Sequence, residues 1–388
     1  MHRADRTVSP ASLALLCANF LIGLSVVAPA GMIDQLSVDL DVSVSRAALL
    51  FTLGAVVMCF GSPLVAWAFA STDRRPLLAI SLGGLTATHA LSALAPGLEI
   101  LLLLRLLAMA FAAVVTPQAA SAISMIVPET RRSAAISFIF LGWSLAAAVG
   151  LPAVAWLSHE FGWRSVHMIM AAIGVVATGS VALAVPGGLR GQAMSLASWK
   201  GLLTNRLVLT LLAVTIASSA GQFVVFPFFG PILAQTADAS PSQVALCFAL
   251  FGVAGFAGNV VASTAVVRLG ALRTSLLFFA SMLVGATAWT MSLSSIWPLA
   301  VASFVWGMGF AASNSMQQAR LAAAAPALAG VAIALNSSSI YLGQAAGSAV
   351  GGAMFDATFY HAMGWAAAGM MAIALALVRL SGGIERRG

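Results

Sequence analysis

The sequence predicts an all-α membrane protein of twelve transmembrane helices arranged as two pseudo-symmetric six-helix bundles. Three observations lead there: an apolar composition, an alternation of long apolar runs with short polar breaks, and a repeat at about half the chain length. Of 388 residues, 61% are hydrophobic and 7% charged, and the mean hydropathy is +1.02. So little polar surface cannot wrap a soluble globule of this size, so most side chains must face lipid or protein. The net charge of +7 does not point to nucleic acid, because the chain has a single lysine, Lys200, and no basic block interleaved with aromatics.

A bilayer core of about 30 Å takes roughly 20 apolar residues per helix, so each run is closed where charges, prolines or polar clusters interrupt it. The first span, 11–33, ends at Asp34, and Asp39, Asp41 and Arg46 fill the break before 47–70. "STDRR" (71–75) separates that span from 76–95, and Pro96-Gly97 separates 76–95 from 98–127. "PETRR" (128–132) precedes 134–157, and "HEFGWR" (159–164) precedes 165–186. After the polar stretch 187–205 come 207–229 and, past Asp238 and Pro241, 243–266. Arg268 and Arg273 bracket the turn into 274–293, and serines lead into 297–318. Pro326 precedes 330–354, and Asp356 and His361 precede the last span, 362–380. "MHRADR" with the apolar run and "APA" at 28–30 imitates a signal peptide, but the run from Ala11 to Val27 is longer than a signal core and reads as the first span.

Charge sets the orientation. With the N-terminus in the cytoplasm, fifteen of the eighteen basic residues fall on that side; Arg46 and Arg164 fall outside and Arg105 lies within a span. The positive-inside rule therefore places both termini in the cytoplasm of a bacterial inner membrane.

Pairs of like residues recur at a nearly constant offset: Gly61 and Gly258 by 197, Gly150 and Gly347 by 197, Arg75 and Arg273 by 198, Gln118 and Gln317 by 199. This reads as an N-terminal six-helix half, 1–186, a cytoplasmic linker, 187–205, and a C-terminal six-helix half, 206–388. In the linker, Leu196, Trp199, Leu202 and Leu203 have helical spacing, which suits an interfacial amphipathic helix as well as a plain connection.

Four segments carry a family resemblance. "GSPLVAWAFASTDRRPLL" (61–78) is similar to the signature between helices 2 and 3 of the major facilitator superfamily, though without the glycine between acid and base. "LLLLRLLAMAFAAVVTPQA" (101–119) resembles its helix 4 arginine signature, and "LGWSLAAAVGLPAVAWL" (141–157) its helix 5 antiporter signature. "QARLAAAAPALAGVAIALNSSSIYLGQAAGSAVGG" (318–352) resembles the sugar-efflux and drug-resistance exporters typified by the arabinose efflux permease. The resemblance implies transport by alternating access and proton antiport. Because helices 1, 4, 7 and 10 line the cavity in that family, it also implies substrate contacts from Asn19, Arg105, Gln222 and Asn314.

The residues themselves leave choices. Gly142, Ala146 and Gly150 recur every fourth residue, so a neighbouring backbone can approach them closely, and Pro152 weakens the helix just beyond. This reads as a moving interface with the facing half, or as the ordinary glycine and proline content of membrane helices. Arg105 either faces the cavity to hold an anion, carbonyl or carboxylate, or snorkels to the outer headgroups. Asp73, Arg74 and Arg75 form an inner-gate latch or simply signal topology. None of the eleven acids lies deep in a span, so Asp34, Glu99 and His89 are the proton-coupling candidates. Cys17, Cys59 and Cys247 lie within spans without ligand spacing and read as packing residues. No catalytic triad, phosphate loop, metal site or cofactor motif is present, so an enzyme or ATP-driven pump is not indicated.

The sequence thus predicts a proton-coupled exporter of a small neutral or anionic molecule, sugar-like, nucleoside-like or phenicol-like. Its partners are the substrate, protons and the lipid bilayer; no oligomeric state is implied. An importer or facilitator of a metabolite is the alternative, and a non-transporting membrane sensor lies behind both.

Overall fold

In a computed structural model of the chain, residues 9–191, 202 and 204–385 are described, and the amphipathic pattern at 195–206 falls largely outside them. The helices are α1 (Pro10–Asp39), α2 (Val44–Ala68), α3 (Arg74–Ser92), α4 (Leu98–Ile126), α5 (Arg132–Leu145) and α6 (Leu151–Ala184), followed by α7 (Arg206–Val225), α8 (Phe229–Ala237), α9 (Pro241–Met291), α10 (Ile296–Ala324), α11 (Ala329–Asp356) and α12 (Tyr360–Glu385). Several starts follow from side-chain caps that satisfy orphan amides. Ser9, Ser43, Asp73 and Asn205 each accept from a backbone N–H of the first turn, and Ser240 and Gln243 form a reciprocal capping box.

Among the described residues these helices make the twelve expected crossings, although helices and crossings do not correspond one to one. Eight helical stretches are long and apolar enough to span a membrane, and two of them, Ala134–Ala184 and Pro241–Met291, run for 51 residues. Each of these two turns back at one glycine, Gly162 (φ 79°) and Gly270 (φ 76°), and so crosses twice; α3 and α11 complete the set. The sequence reading expects ordinary loops at these places. Positive φ, which L residues with a Cβ avoid, lets a single glycine turn the chain. The seventh crossing is longer than expected: α7 passes through a 3₁₀ turn at Phe226–Phe228, around Pro227, into α8.

The two halves pack alike. In the first, α1 lies against α5 and the first arm of α6, while α3 packs on α4 and the second arm of α6. In the second, α7 lies against α11 and α12, and the second arm of α9 packs on α12. Small residues make the α1 and α7 contacts possible. A Cβ at Gly142 would overlap Leu16 O and Phe20 N of α1, and one at Gly347 would overlap Ala220 O of α7. Both glycine stripes therefore bind a helix of their own half. This corrects the expectation that Gly142 and Gly150 meet the facing half: Gly150 is opposed by Leu24 and the Phe20 ring, both on α1.

The halves do meet on the adjacent face of the same helix. Pro152 has no N–H for the carbonyl four residues back, and the helix widens into one π turn, Ala146–Gly150, immediately before it. That turn presses on Gly252 of α9, where a Cβ would lie 2.5 Å from Ala148 Cα. Other contacts across the halves are Thr52 Oγ1 donating to Ser348 Oγ (3.0 Å), Ser45 Oγ to Asp356 Oδ2 (2.6 Å), and the Phe51 and Phe223 rings at 6.1 Å. These contacts lie between the middle of the bundle and the end opposite the chain termini, here called the far end.

Filling a backbone contact differs from filling a side-chain contact. Gly142→Leu should lower the melting temperature of the detergent-solubilised protein sharply, since overpacking costs about 1–3 kcal/mol and backbone atoms cannot step aside. Gly150→Ala should melt within about 3 °C of wild type, because Leu24 Cδ1 is a movable terminus. Equal losses in the two variants would contradict this packing.

Candidate functional site

The polar centre of the first half grows from a defect in α1. Pro29 lies inside that helix and offers no N–H to Ser25 O, four residues earlier. An unpaired buried carbonyl costs about 1–3 kcal/mol. Arg105, on α4, supplies the missing donor: Nη1 lies 2.6 Å from Ser25 O, Nη2 3.2 Å from Val26 O and Nε 3.0 Å from Leu50 O of α2. Gly54 leaves the room, since a Cβ there would come within 3.0 Å of Arg105 Nε. One guanidinium thus joins α1, α2 and α4, and it is 7% exposed. It does not snorkel to the headgroups, and its donors face backbone carbonyls rather than an open cavity.

Beside it sits a polar group that sequence reasoning did not assemble. His89 Nε2 lies 2.8 Å from Ser25 Oγ, and His89 Nδ1 lies 3.2 Å from Nδ1 of His167 on the second arm of α6. The sequence alone does not single out His167, Ser25 or Gly54. The one readable signal is Pro29 four residues after Ser25, which announces a free carbonyl; nothing in the sequence pairs two histidines 78 positions apart.

The remaining predicted substrate residues are dispersed. Asn19 donates to Leu15 O of its own helix (2.9 Å), leaving its Oδ1 unpartnered. Asn314 accepts from Asn336 Nδ2 (3.1 Å), and Thr215 Oγ1 donates to Asn336 Oδ1 (2.7 Å), so a polar chain joins α7, α10 and α11. Gln222 is buried on α7 with its Oε1 unpartnered. Of the proton candidates, Asp34 sits at the far end of the interface, with Oδ2 3.3 Å from where a Cβ of Gly230 would be. Glu99 instead pairs with Arg46 at 2.9 Å on an exposed surface, a position that salt and water screen.

The helix 2–3 loop bonds to its own half and to the start of the linker. Arg74 donates to Phe69 O (2.7 Å), Thr72 O (2.9 Å), Ala70 O (2.8 Å) and Ser121 Oγ (3.2 Å), which closes the end of α2 and ties it to α4. Asp73 caps α3 and accepts from Gly188 N (2.7 Å), a bond that holds its carboxyl below the usual range. Arg75 is exposed. At the opposite end, in the break at 159–164, Trp163 Nε1 (2.8 Å) and Arg164 both donate to Asp39.

A sequence profile of the Major Facilitator Superfamily matches residues 15–220 and 211–386. The chain belongs to the major facilitator superfamily. It is similar to the inner membrane transport protein YdhP of Escherichia coli K12, with 29% identity over 379 residues, 95% of each chain. It is 26% identical to a probable sugar efflux transporter of Helicobacter pylori G27 over 365 residues, covering 93% of this chain and 91% of that one. The solved structure of the nucleoside transporter NupG shares the fold, with a TM-score of 0.74 at 14% identity over 96% of this chain and 99% of that one. This superfamily member is a multi-pass membrane transporter of small molecules, not an enzyme.

The Arg105 geometry has a specific consequence. Arg105→Ala should melt below wild type by an amount equivalent to about 2 kcal/mol or more, because buried carbonyls lose a charged donor. Adding Pro29→Ala to that variant should recover part of the loss, since the backbone N–H restored at that position then reaches Ser25 O. A double variant that melts no higher than Arg105→Ala alone would contradict the assignment.

Proposed function

We propose that this transporter exports a small neutral or anionic organic molecule, sugar-like, nucleoside-like or phenicol-like, in exchange for protons. The observation that carries the reading is the sign of the buried charge. Among the described residues the buried charged side chains are Arg74, Arg105 and Arg320, whereas the carboxylates are half-buried, as Asp34 and Asp73 are, or exposed. A cation held at the membrane middle needs a carboxylate to offset desolvation that runs to several kcal/mol. A neutral or anionic molecule does not, and the amides of Asn19, Gln222 and Asn314 suit its hydroxyls and carbonyls. Arg105 acts on it indirectly, by holding α1 against α2 and α4. The likeness to sugar efflux transporters supports outward transport.

The positive-inside count puts the chain termini in the cytoplasm, so the far end, where the halves are joined, faces outward. The described state is then the one shut to the outside. Transport needs the Gly252 and π-turn contact, with Thr52–Ser348 and Ser45–Asp356, to part while the cytoplasmic ends of the halves close. Gly142, Gly150 and Pro152 serve this indirectly, by fixing the helix that carries the π turn. Asp73, Arg74 and Arg75 close the loop that moves with the first half. Asp34, beside Gly230 at the outer end of the interface, is the carboxylate best placed to exchange protons when that end opens.

In everted vesicles energised by a proton gradient, a cargo identified by thermal-shift screening of metabolites and antibiotics should accumulate and dissipate part of the gradient. Collapsing the gradient with a protonophore should lower accumulation at least tenfold; unchanged accumulation removes proton coupling, and gradient-dependent loss from the vesicles makes the protein an importer. Cells stripped of other exporters should gain no ethidium resistance on expression, and energy-dependent ethidium efflux would overturn the charge argument.

A further inference from the structure

The first half encloses a titratable pair to which the transport cycle above assigns no role. The Nδ1 atoms of His89 and His167 are 3.2 Å apart and the ring centroids 5.4 Å. This contact needs one proton between two nitrogens, so one ring donates and the other accepts. If His167 donates, His89 carries its other proton on Nε2 toward Ser25 Oγ, and His167 Nε2 is a bare lone pair. In the reverse arrangement Ser25 donates to His89 and His167 Nε2 bears a proton. The two neutral forms differ by one proton moved along a line from His167 Nε2 to Ser25.

The open end of that line is unusual. His167 Nε2 is buried with no partner, while its ring meets Trp163 edge-on at 5.9 Å. A cavity of about 10 Å³, lined by Ser25, His89, Ser92, Arg105, His167 and Met170 among others, has room for about one water molecule with polar groups around it. The groups facing the pair are Ser25 from α1, Arg105 from α4, and each histidine from its own helix, α3 or α6. Arg105 is the full charge acting on both rings, and Tyr341 of α11 in turn acts on Arg105.

We propose that the His89–His167 pair binds one proton at His167 Nε2 and thereby loosens the hold of Arg105 on α1. The inference rests on the proton-coupled reading and adds an interior control point to it. The proton arrives on a hydronium ion in the cavity, forms the Nε2–H bond and leaves a water; no other bond changes and nothing is oxidised. The pair then carries a positive charge beside Arg105 in a medium of low dielectric. Ser25 couples the two, because its hydroxyl bonds His89 and its carbonyl bonds Arg105. When the guanidinium withdraws, Pro29 offers no substitute donor, and α1 is free to bend there. By linkage, the state in which Arg105 grips α1 binds the proton more weakly.

Hydrogen–deuterium exchange in lipid nanodiscs without cargo tests this. For residues 26–33, exchange corrected for intrinsic rates should be about threefold faster or more near pH 4 than near pH 7, because the proton must enter a buried pair beside a positive charge. His167→Gln and His89→Gln should each abolish the difference. Should either variant fail to fold, ¹⁵N-histidine spectra of the wild-type protein decide: two of its five histidines should share a single protonation step in that range. A wild-type segment whose exchange ignores pH, variants that keep the full response, or rings that hold one protonation state throughout would each overturn the proposal. Persistent pH-dependent exchange together with gradient-independent transport would count against proton coupling and leave this site standing.

Discussion

A guanidinium bonded to three backbone carbonyls, with no carboxylate paired to it among the described residues, organises the first half of this transporter. An arginine at the centre of a membrane helix costs about 3 kcal/mol, and in hydrocarbon an unsatisfied carbonyl costs several more. Here the two liabilities cancel. Pro29 removes the partner of Ser25 O, Gly54 clears a channel, and Arg105 fills it with donors for α1 and α2. Each change alone would destabilise the bundle, yet together they tie α1 to α2 and α4 beside the proline.

The rest of the architecture suits a tie of this kind. Glycine stripes bind α1 and α7 closely within their own halves, as the proposed movement of two bodies requires. Contact between the halves includes small and hydroxyl-bearing residues, Ala147, Ala148, Gly252, Thr52, Ser348 and Ser45, together with the Phe51 and Phe223 rings and the Asp356 carboxylate that Ser45 holds. The π turn before Pro152 belongs to both systems. One side of its helix is locked to α1 by Gly142, and the other meets α9.

Much of the fold was legible because lipid imposes simple rules. Runs of about 20 apolar residues and an offset near 197 gave the twelve crossings, and small residues every fourth position marked close packing. Periodicity could not say which neighbour a stripe faces, since α1 and α9 lie on adjacent faces of one helix. Nor could it foresee that Gly162 and Gly270 would each replace a loop. The site was harder still. Arg105 stood out by its charge, but its partners are main-chain atoms that carry no residue identity. His89 looked solitary because His167 meets it only through tertiary packing of α3 on α6. Glu99 looked available because the sequence does not show that Arg46 lies beside it.

The central claim is a bond between one guanidinium and one proline-orphaned carbonyl, and a distance measurement tests it most directly. Solid-state NMR dephasing between ¹⁵N of the Arg105 guanidinium and the ¹³C-labelled Ser25 carbonyl, in lipid bilayers near neutral pH, reads that contact. The account predicts strong dephasing that corresponds to direct hydrogen bonding, as the 2.6 Å separation of Nη1 and Ser25 O requires. No dephasing from Ser25, with the guanidinium instead close to a carboxylate carbon, would contradict it.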